Sequence, residues 1–192
     1  MRRVFSFMSS IKTDFSSLEN TLKNATADTM AAATQAVNTA TELGRIEAAN
    51  HISARYSLPG GYVQSRLKIS KYASESNLTT VIQARTRATK LNEFKHHQKF
   101  KRGKTVSRKA AGVEVKVKTN GLSFYWDNAF FIDLRNGNRG LAVRKRGGGR
   151  NDIKVLYSAS VGFAFRHVRD AENLPEKMLR TAKKEFFKYL GV

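Results

Sequence analysis

The first long pattern in the chain is helical. From Thr13 to about Arg55 there is no proline and one glycine, Gly44, while Phe15, Leu18, Leu22, Ala25, Thr29, Ala32, Ala36, Ala40 and Leu43 recur at steps of three and four residues. That spacing lines up one face of an α-helix. Ser16 followed by Glu19 has the form of a capping box, Leu58-Pro59-Gly60-Gly61 ends the element, and Gly44 predicts a break within it. The stripe is built from Ala and Thr more than Leu, so its face is shallow. Such a face packs weakly alone and admits a close neighbour, which points to contact with another subunit.

Past the Pro-Gly-Gly punctuation, Tyr62 to Ser65 predicts a short turn of helix, and the pattern then changes to period two. Runs 66–73 and 78–85 flank Ser74-Glu75-Ser76-Asn77 and predict a hairpin. Gly112 to Thr119 alternates strictly, Asn120-Gly121 is a two-residue turn signal, and Leu122-Ser-Phe-Tyr-Trp126 supplies the partner strand. Ala129-Phe-Phe-Ile-Asp-Leu-Arg135 and Gly140-Leu-Ala-Val-Arg-Lys-Arg146 flank Asn136-Gly137-Asn138-Arg139 and predict a further hairpin. Gly147-Gly148-Gly149 reads as a flexible link, and Ile153 to Tyr157 as a short strand. Asn173-Leu-Pro-Glu176 opens the last helix with a capping residue, an early proline and an early acid. Met178, Leu179, Ala182, Phe186, Phe187 and Leu190 share one broad face of it, expected to cover the sheet.

These elements make an α+β fold: a long N-terminal helix or broken helix pair, an antiparallel sheet of hairpins with a basic loop, and a C-terminal helix packed on the sheet. At 192 residues the chain has room for one domain with a core and is short for two. The expected division is an N-terminal helical arm over residues 1–57 and a basic α+β domain over 58–192, closed by the C-terminal helix as one compact unit.

Charge changes the picture most. There are 35 Lys and Arg against 15 Asp and Glu, a net charge of +20. Residues 1–50 hold equal numbers of each sign, so the whole excess lies downstream. Such asymmetry implies an acidic partner: nucleic acid, an anionic membrane or an acidic protein surface. Residues 95–109 concentrate it, with seven Lys and Arg and no acid, and predict a solvated mobile loop. Lys95, Lys99, Lys101, Arg102, Lys104, Arg108 and Lys109, with the cluster Arg144, Lys145, Arg146 and Arg150, are the candidate DNA-facing or acidic-partner-facing residues, because they are basic without being apolar. Phe124, Tyr125 and Trp126, like Phe130 and Phe131, sit in strand-like apolar runs that core or subunit packing explains better than base stacking.

Catalytic signatures are weak. The chain has no cysteine, which removes disulfides, thiolate nucleophiles and Cys-type zinc sites. The histidines are His51, His96, His97 and His167, and adjacent His96 and His97 are poorly placed to grip one ion. A metal-dependent nuclease needs clustered carboxylates, whereas Asp127, Asp133 and Asp152 fall on different elements. The glycine run before Arg150 lacks the Gly-Lys-Ser/Thr ending of a P-loop. No catalytic residue, cofactor or metal is assigned. The apolar stretch at the start is too short for a secretory h-region, and no later run has the length of a membrane span, so a soluble protein made in the cytoplasm with no membrane partner is expected.

Residues 129–169 carry a resemblance. The apolar strand from Ala129, the Asn-Gly turn, the strand ending in Arg144-Lys-Arg146, the glycine link, Ile153-Lys-Val-Leu-Tyr-Ser-Ala-Ser-Val161 and Phe163-Ala-Phe-Arg-His-Val168 come in an order similar to that of phage tail-completion proteins of the minor tail protein Z kind. The Ala-rich N-terminal helix, basic middle and closing helix match that order too. The resemblance implies a non-enzymatic virion protein of the neck, made in the host cytoplasm, that joins the tail to the DNA-filled head. It implies a homo-oligomeric ring, a hexamer, around the DNA channel. Its neighbours would be tail terminator or tail tube proteins on one side and head-completion, stopper or portal-adaptor proteins on the other, with packaged double-stranded DNA in the lumen. Phe130, Phe131, Phe186 and Phe187 are the candidate subunit-interface residues. The rival readings are a free sequence-nonspecific nucleic-acid-binding protein and a small nuclease.

Overall fold

The structure is a computed structural model that describes residues 9–13, 15, 26–101, 109–135, 137–145, 147–149 and 151–191. The chain divides into two compact units: residues 1–52, 60–87 and 160–192 form the first, and 53–59 and 88–159 the second.

The first unit is built on helix α1 (Ala27–Arg55), whose last turn enters the second unit. The Ser16–Glu19 capping box lies outside the described residues. Thr13, where the spacing predicts the helix to start, is instead the last residue of strand β1 (Ser9–Thr13). It pairs antiparallel with β3 (Thr80–Ala84), Thr13 opposite Thr80 and Ser9 opposite Ala84. The far edge of β3 pairs with β2 (Leu67–Lys71), the expected hairpin, after the short helix α2 (Gly60–Gln64). The free backbone edge of a two-stranded hairpin is satisfied by this third strand, and Phe15 follows it fully buried.

Gly44 does not break α1. The helix runs through it because Gly44 is buried and the side chain of Met178 fills the space a Cβ would need: an added methyl would lie 2.6 Å from Met178 Cγ. The buried stripe is Ala33, Ala36, Val37, Ala40, Thr41, Gly44, Ala48, Ala49 and Ile52, which leaves Leu43 on the exposed side. The stripe is as shallow as the composition suggests, but neighbours from the same chain occupy it. Thr41 also ties helix to sheet, its hydroxyl 2.9 Å from that of Thr80.

Sequence reading missed α3 (Val161–Ala171), which packs on β1 and β3. Its signals are present: Ser160 caps it by accepting from Phe163 N, and Val161, Ala164, Phe165 and Val168 are buried at helical spacing. The final helix α4 (Leu174–Tyr189) packs beside α3 and reaches β1 through Met178, 3.8 Å from the Thr13 hydroxyl. Leu174, Met178, Ala182 and Phe186 are buried; Phe187 and Leu190 are exposed. Asn173 stands at the cap position in a left-handed conformation and bonds the Glu176 side chain, not the helix backbone. Lys177 ties α4 to α1 by bridging Glu47 and Glu172 at 3.0 and 3.2 Å, and the two carboxylates raise its pKa.

The second unit is made of small antiparallel sheets. Strands β5 (Lys95–Lys101), β6 (Lys109–Lys116) and β7 (Ser123–Asp127) form one in the order β5-β6-β7. Strands β8 (Phe130–Asp133), β9 (Arg139–Arg144) and β10 (Ile153–Val155) form another in the order β10-β9-β8. Strand β4 (Thr89–Lys90) pairs with β11 (Tyr157–Ser158). Leu91, Phe94, Val113, Val115, Leu141 and Leu156 form the core. Two expectations change here. Lys95–Lys101 is a paired strand, not a mobile loop, because residues of alternating character hang on opposite faces of a ladder and lysines tolerate the wet one. The glycine link is a closed turn: Gly149 N donates to the Asp152 carboxylate at 3.0 Å and Lys145 N to Asp152 O at 2.9 Å.

Substituting Gly44→Ala gains about 1 kcal/mol of helix propensity but overpacks buried Met178 at a cost of about 1–3 kcal/mol. Urea unfolding is expected to show a net loss of stability that Met178→Val partly restores.

Candidate polyanion interface

Register fixes the two faces of the β5-β6-β7 sheet, because directly paired residues point the same way. Lys95 lies opposite Lys116, His97 opposite Glu114, and Lys99 opposite Gly112; across β6, Lys116 faces Ser123, Glu114 faces Tyr125, and Gly112 faces Asp127. One face therefore gathers Lys95, His97, Lys99 and Lys116, which line a depression of about 220 Å³ with Glu114, Ser123 and, between Lys95 and His97 on the strand, His96. Lys101 extends the strand and is exposed. The opposite face carries His96, Gln98, buried Val113 and Val115, Phe124 and Trp126. His96 rests its ring 5.1 Å from that of Phe131 and turns Nδ1 to Phe94 O. Adjacent His96 and His97 thus point to opposite sides of the sheet.

The wet face carries two carboxylates, Glu114 and Asp127. Lys99 Nζ lies 2.9 Å from Glu114, and this contact, aided by the Ser123 hydroxyl, holds the Glu114 carboxyl below its ordinary pKa. The second unit has only Glu93, Glu114, Asp127, Asp133 and Asp152 to set against its lysines and arginines. Its acids are consequently local: Glu114 neutralises Lys99, and Asp152 closes a turn.

The structure brings together part of the sequence-derived set. Lys95, Lys99 and Lys101 share β5, and Lys109 opens β6 opposite Lys101. Arg144 ends β9 of the other sheet, where its guanidinium sits 5.2 Å above the Phe130 ring, and Lys145 lies in the turn that follows. Arg102, Lys104, Arg108, Arg146 and Arg150 lie outside the described residues. His97 and Lys116 escaped the sequence reading, although the period-two alternation of 95–101 against 112–116 would have found both.

The aromatic strand is the second feature. Leu122 is 84% exposed, and Phe124, Tyr125 and Trp126 stand out on β7, an edge strand with every residue exposed. These aromatics are not core. Tyr125 lies across Gly112, where an added Cβ would meet its hydroxyl at 2.6 Å and Trp126 O at 2.4 Å. An apolar, unpaired edge is unusual in an isolated protein and marks a contact surface. Of the expected interface residues, Phe130 and Phe131 are half-buried under Arg144 and Arg139, Phe186 is buried in the first unit, and Phe187 is exposed. Among the described residues, no group of three His, Asp or Glu is placed to hold a metal ion.

A family model described as prophage minor tail protein Z (GPZ) matches residues 12–190. The chain belongs to the minor tail protein Z family. No curated protein and no solved structure matches it. The tail protein Z match runs from β1 to the end of α4 and so includes both units and the whole basic sheet. Membership makes the chain a structural protein of a phage tail. Among the described residues, no helix is long and apolar enough to cross a membrane.

Because its pKa is depressed, the Glu114 contact stabilises the sheet at pH above the ordinary carboxylate value and is lost as pH falls through the lowered one. Glu114→Gln imitates the protonated state at neutral pH and releases Lys99. The variant is expected to elute from immobilised heparin at higher salt than the wild type; earlier elution would contradict the role given to this face.

Proposed function

We propose that this protein completes the phage neck, joining tail to DNA-filled head as a homo-oligomeric ring around the DNA channel. The observation that supports the reading is the β5-β6-β7 sheet, which combines a face where Lys95, His97, Lys99 and Lys116 outnumber two carboxylates, Glu114 and Asp127, with an exposed aromatic edge. A protein lining a DNA passage needs positive charge without base-specific readers, and lysines held on a strand supply that. A ring built from identical subunits needs a repeated contact between copies, and Leu122, Phe124, Tyr125 and Trp126 supply an unpaired apolar edge for it. The expected neighbours are a tail terminator or tail tube protein and a head-completion or portal-adaptor protein. The same lysines could instead grip acidic groups on one of those rings. The protein works in this scheme by binding and positioning, with no catalytic step.

The triple reversal Lys95→Glu, Lys99→Glu, Lys101→Glu tests the assignment in assembling phage. Heads and tails are expected to accumulate unjoined, with infectious particles reduced at least roughly tenfold, since like-charge contacts cost several kcal/mol. Normal titres from folded triple variant would refute it. A wild-type protein absent from particles but tightly bound to free DNA would favour the free nucleic-acid-binding reading.

A further inference from the structure

The first unit holds a second cationic surface, outside the set singled out from sequence. Ser65, Arg66, Lys68, Gln83, Ala84 and Arg85 line a cavity of about 300 Å³ at the end of the β2-β3 hairpin. Three of the six are cations, and no acid lines the cavity. Arg66 is held in place, its guanidinium 5.0 Å above the Tyr62 ring and its carbonyl accepting from Arg85 N. Its Nε is buried and has no hydrogen-bond partner among the described residues. Buried charged donors are almost always satisfied, so an unsatisfied one in a basic cavity marks a place for an acceptor.

Two further observations point the same way. Several cations elsewhere in this unit are paired, among them Arg45 with Glu42, Lys177 with Glu47 and Glu172, Arg180 with Glu176 and Lys188 with Glu185. Lys68 and Arg85 make no ion pair among the described residues. The register also extends the surface beyond the cavity. Lys68 and Ser10 flank Gln83, while Lys12 and Lys71 flank Val81, so the same face of the sheet carries Ser10, Lys12, Lys68 and Lys71. It is free of acids and has no large apolar side chain.

We infer that this face binds the phosphate backbone of nucleic acid without reading its sequence, with the Arg66–Lys68–Arg85 cavity seating one phosphate group. A bound phosphate presents several oxygens, enough to meet the Arg66, Lys68 and Arg85 charges that line the cavity together. An acidic protein is the less suitable occupant, since protein contacts need an apolar centre inside a polar rim and this face has only half-buried Val81. Phosphate contacts need cations and neutral donors, which Ser10, Ser65 and Gln83 provide. The site lies on different residues from the lysines of β5 and does not depend on the protein forming a ring.

The test compares full-length wild type with Lys68→Gln/Arg85→Gln by fluorescence anisotropy on a random-sequence DNA duplex over a salt series. Both side chains are exposed, so the melting temperature is expected to hold. Two lost contacts should make the slope of log K against log salt shallower by about 1.8 and weaken binding roughly tenfold or more near 0.1 M salt. Lys68→Arg/Arg85→Lys should keep the wild-type slope, which a generally damaged fold would not. An unchanged slope in the Gln variant overturns the inference. So does weaker binding to poly-glutamate with duplex binding intact, which would assign the face to an acidic protein.

Discussion

The first unit depends on how closely other elements approach the backbone of α1. Its buried face is alanine, threonine and one glycine, and Ile52 is its largest buried side chain. Little area is buried per residue, so the contact is stable only if neighbours lie almost against the helix. Met178 does so at Gly44, Thr80 at Thr41, and the Lys177 bridge to Glu47 holds α4 alongside. The sheet β1-β3-β2 and the helices α3 and α4 are arranged to satisfy that constraint. A larger residue in the stripe would push them apart.

The second unit follows another logic. Its sheets have two or three strands each, its core is a few Val, Leu and Phe side chains, and much of its surface is given to charge and to exposed aromatics. Small sheets of this kind leave edges and faces that a single chain does not cover. Both units also present cations on an exposed strand face, where register brings lysines of neighbouring or alternate positions to one side of a ladder.

Much of this was legible in the sequence. Alternation and turn chemistry located the hairpins at 66–85, 112–126 and 129–146, and the Asn-Leu-Pro-Glu start located α4, because those signals are local. What failed was set by contacts distant in sequence. Ser9–Thr13 is a strand because β3 has a free edge seventy residues away. Gly44 stays helical because Met178 fills the space. The lysines of 95–101 read as solvated loop because charge density masked a period-two pattern that β6 stabilises. His97 and Lys116 of the basic sheet were open to the same period-two reading, whereas the Arg66 cavity had no signal beyond scattered charges.

The central claim, a tail protein Z seated between head and tail, is tested most directly by high-resolution imaging of particles that carry this protein. The account expects its density as a closed ring at the head-to-tail junction, with β5 lysines turned to the lumen or to an acidic neighbour and the β7 edges between copies. Density absent from that junction, or present as isolated copies without contact through β7, would contradict it.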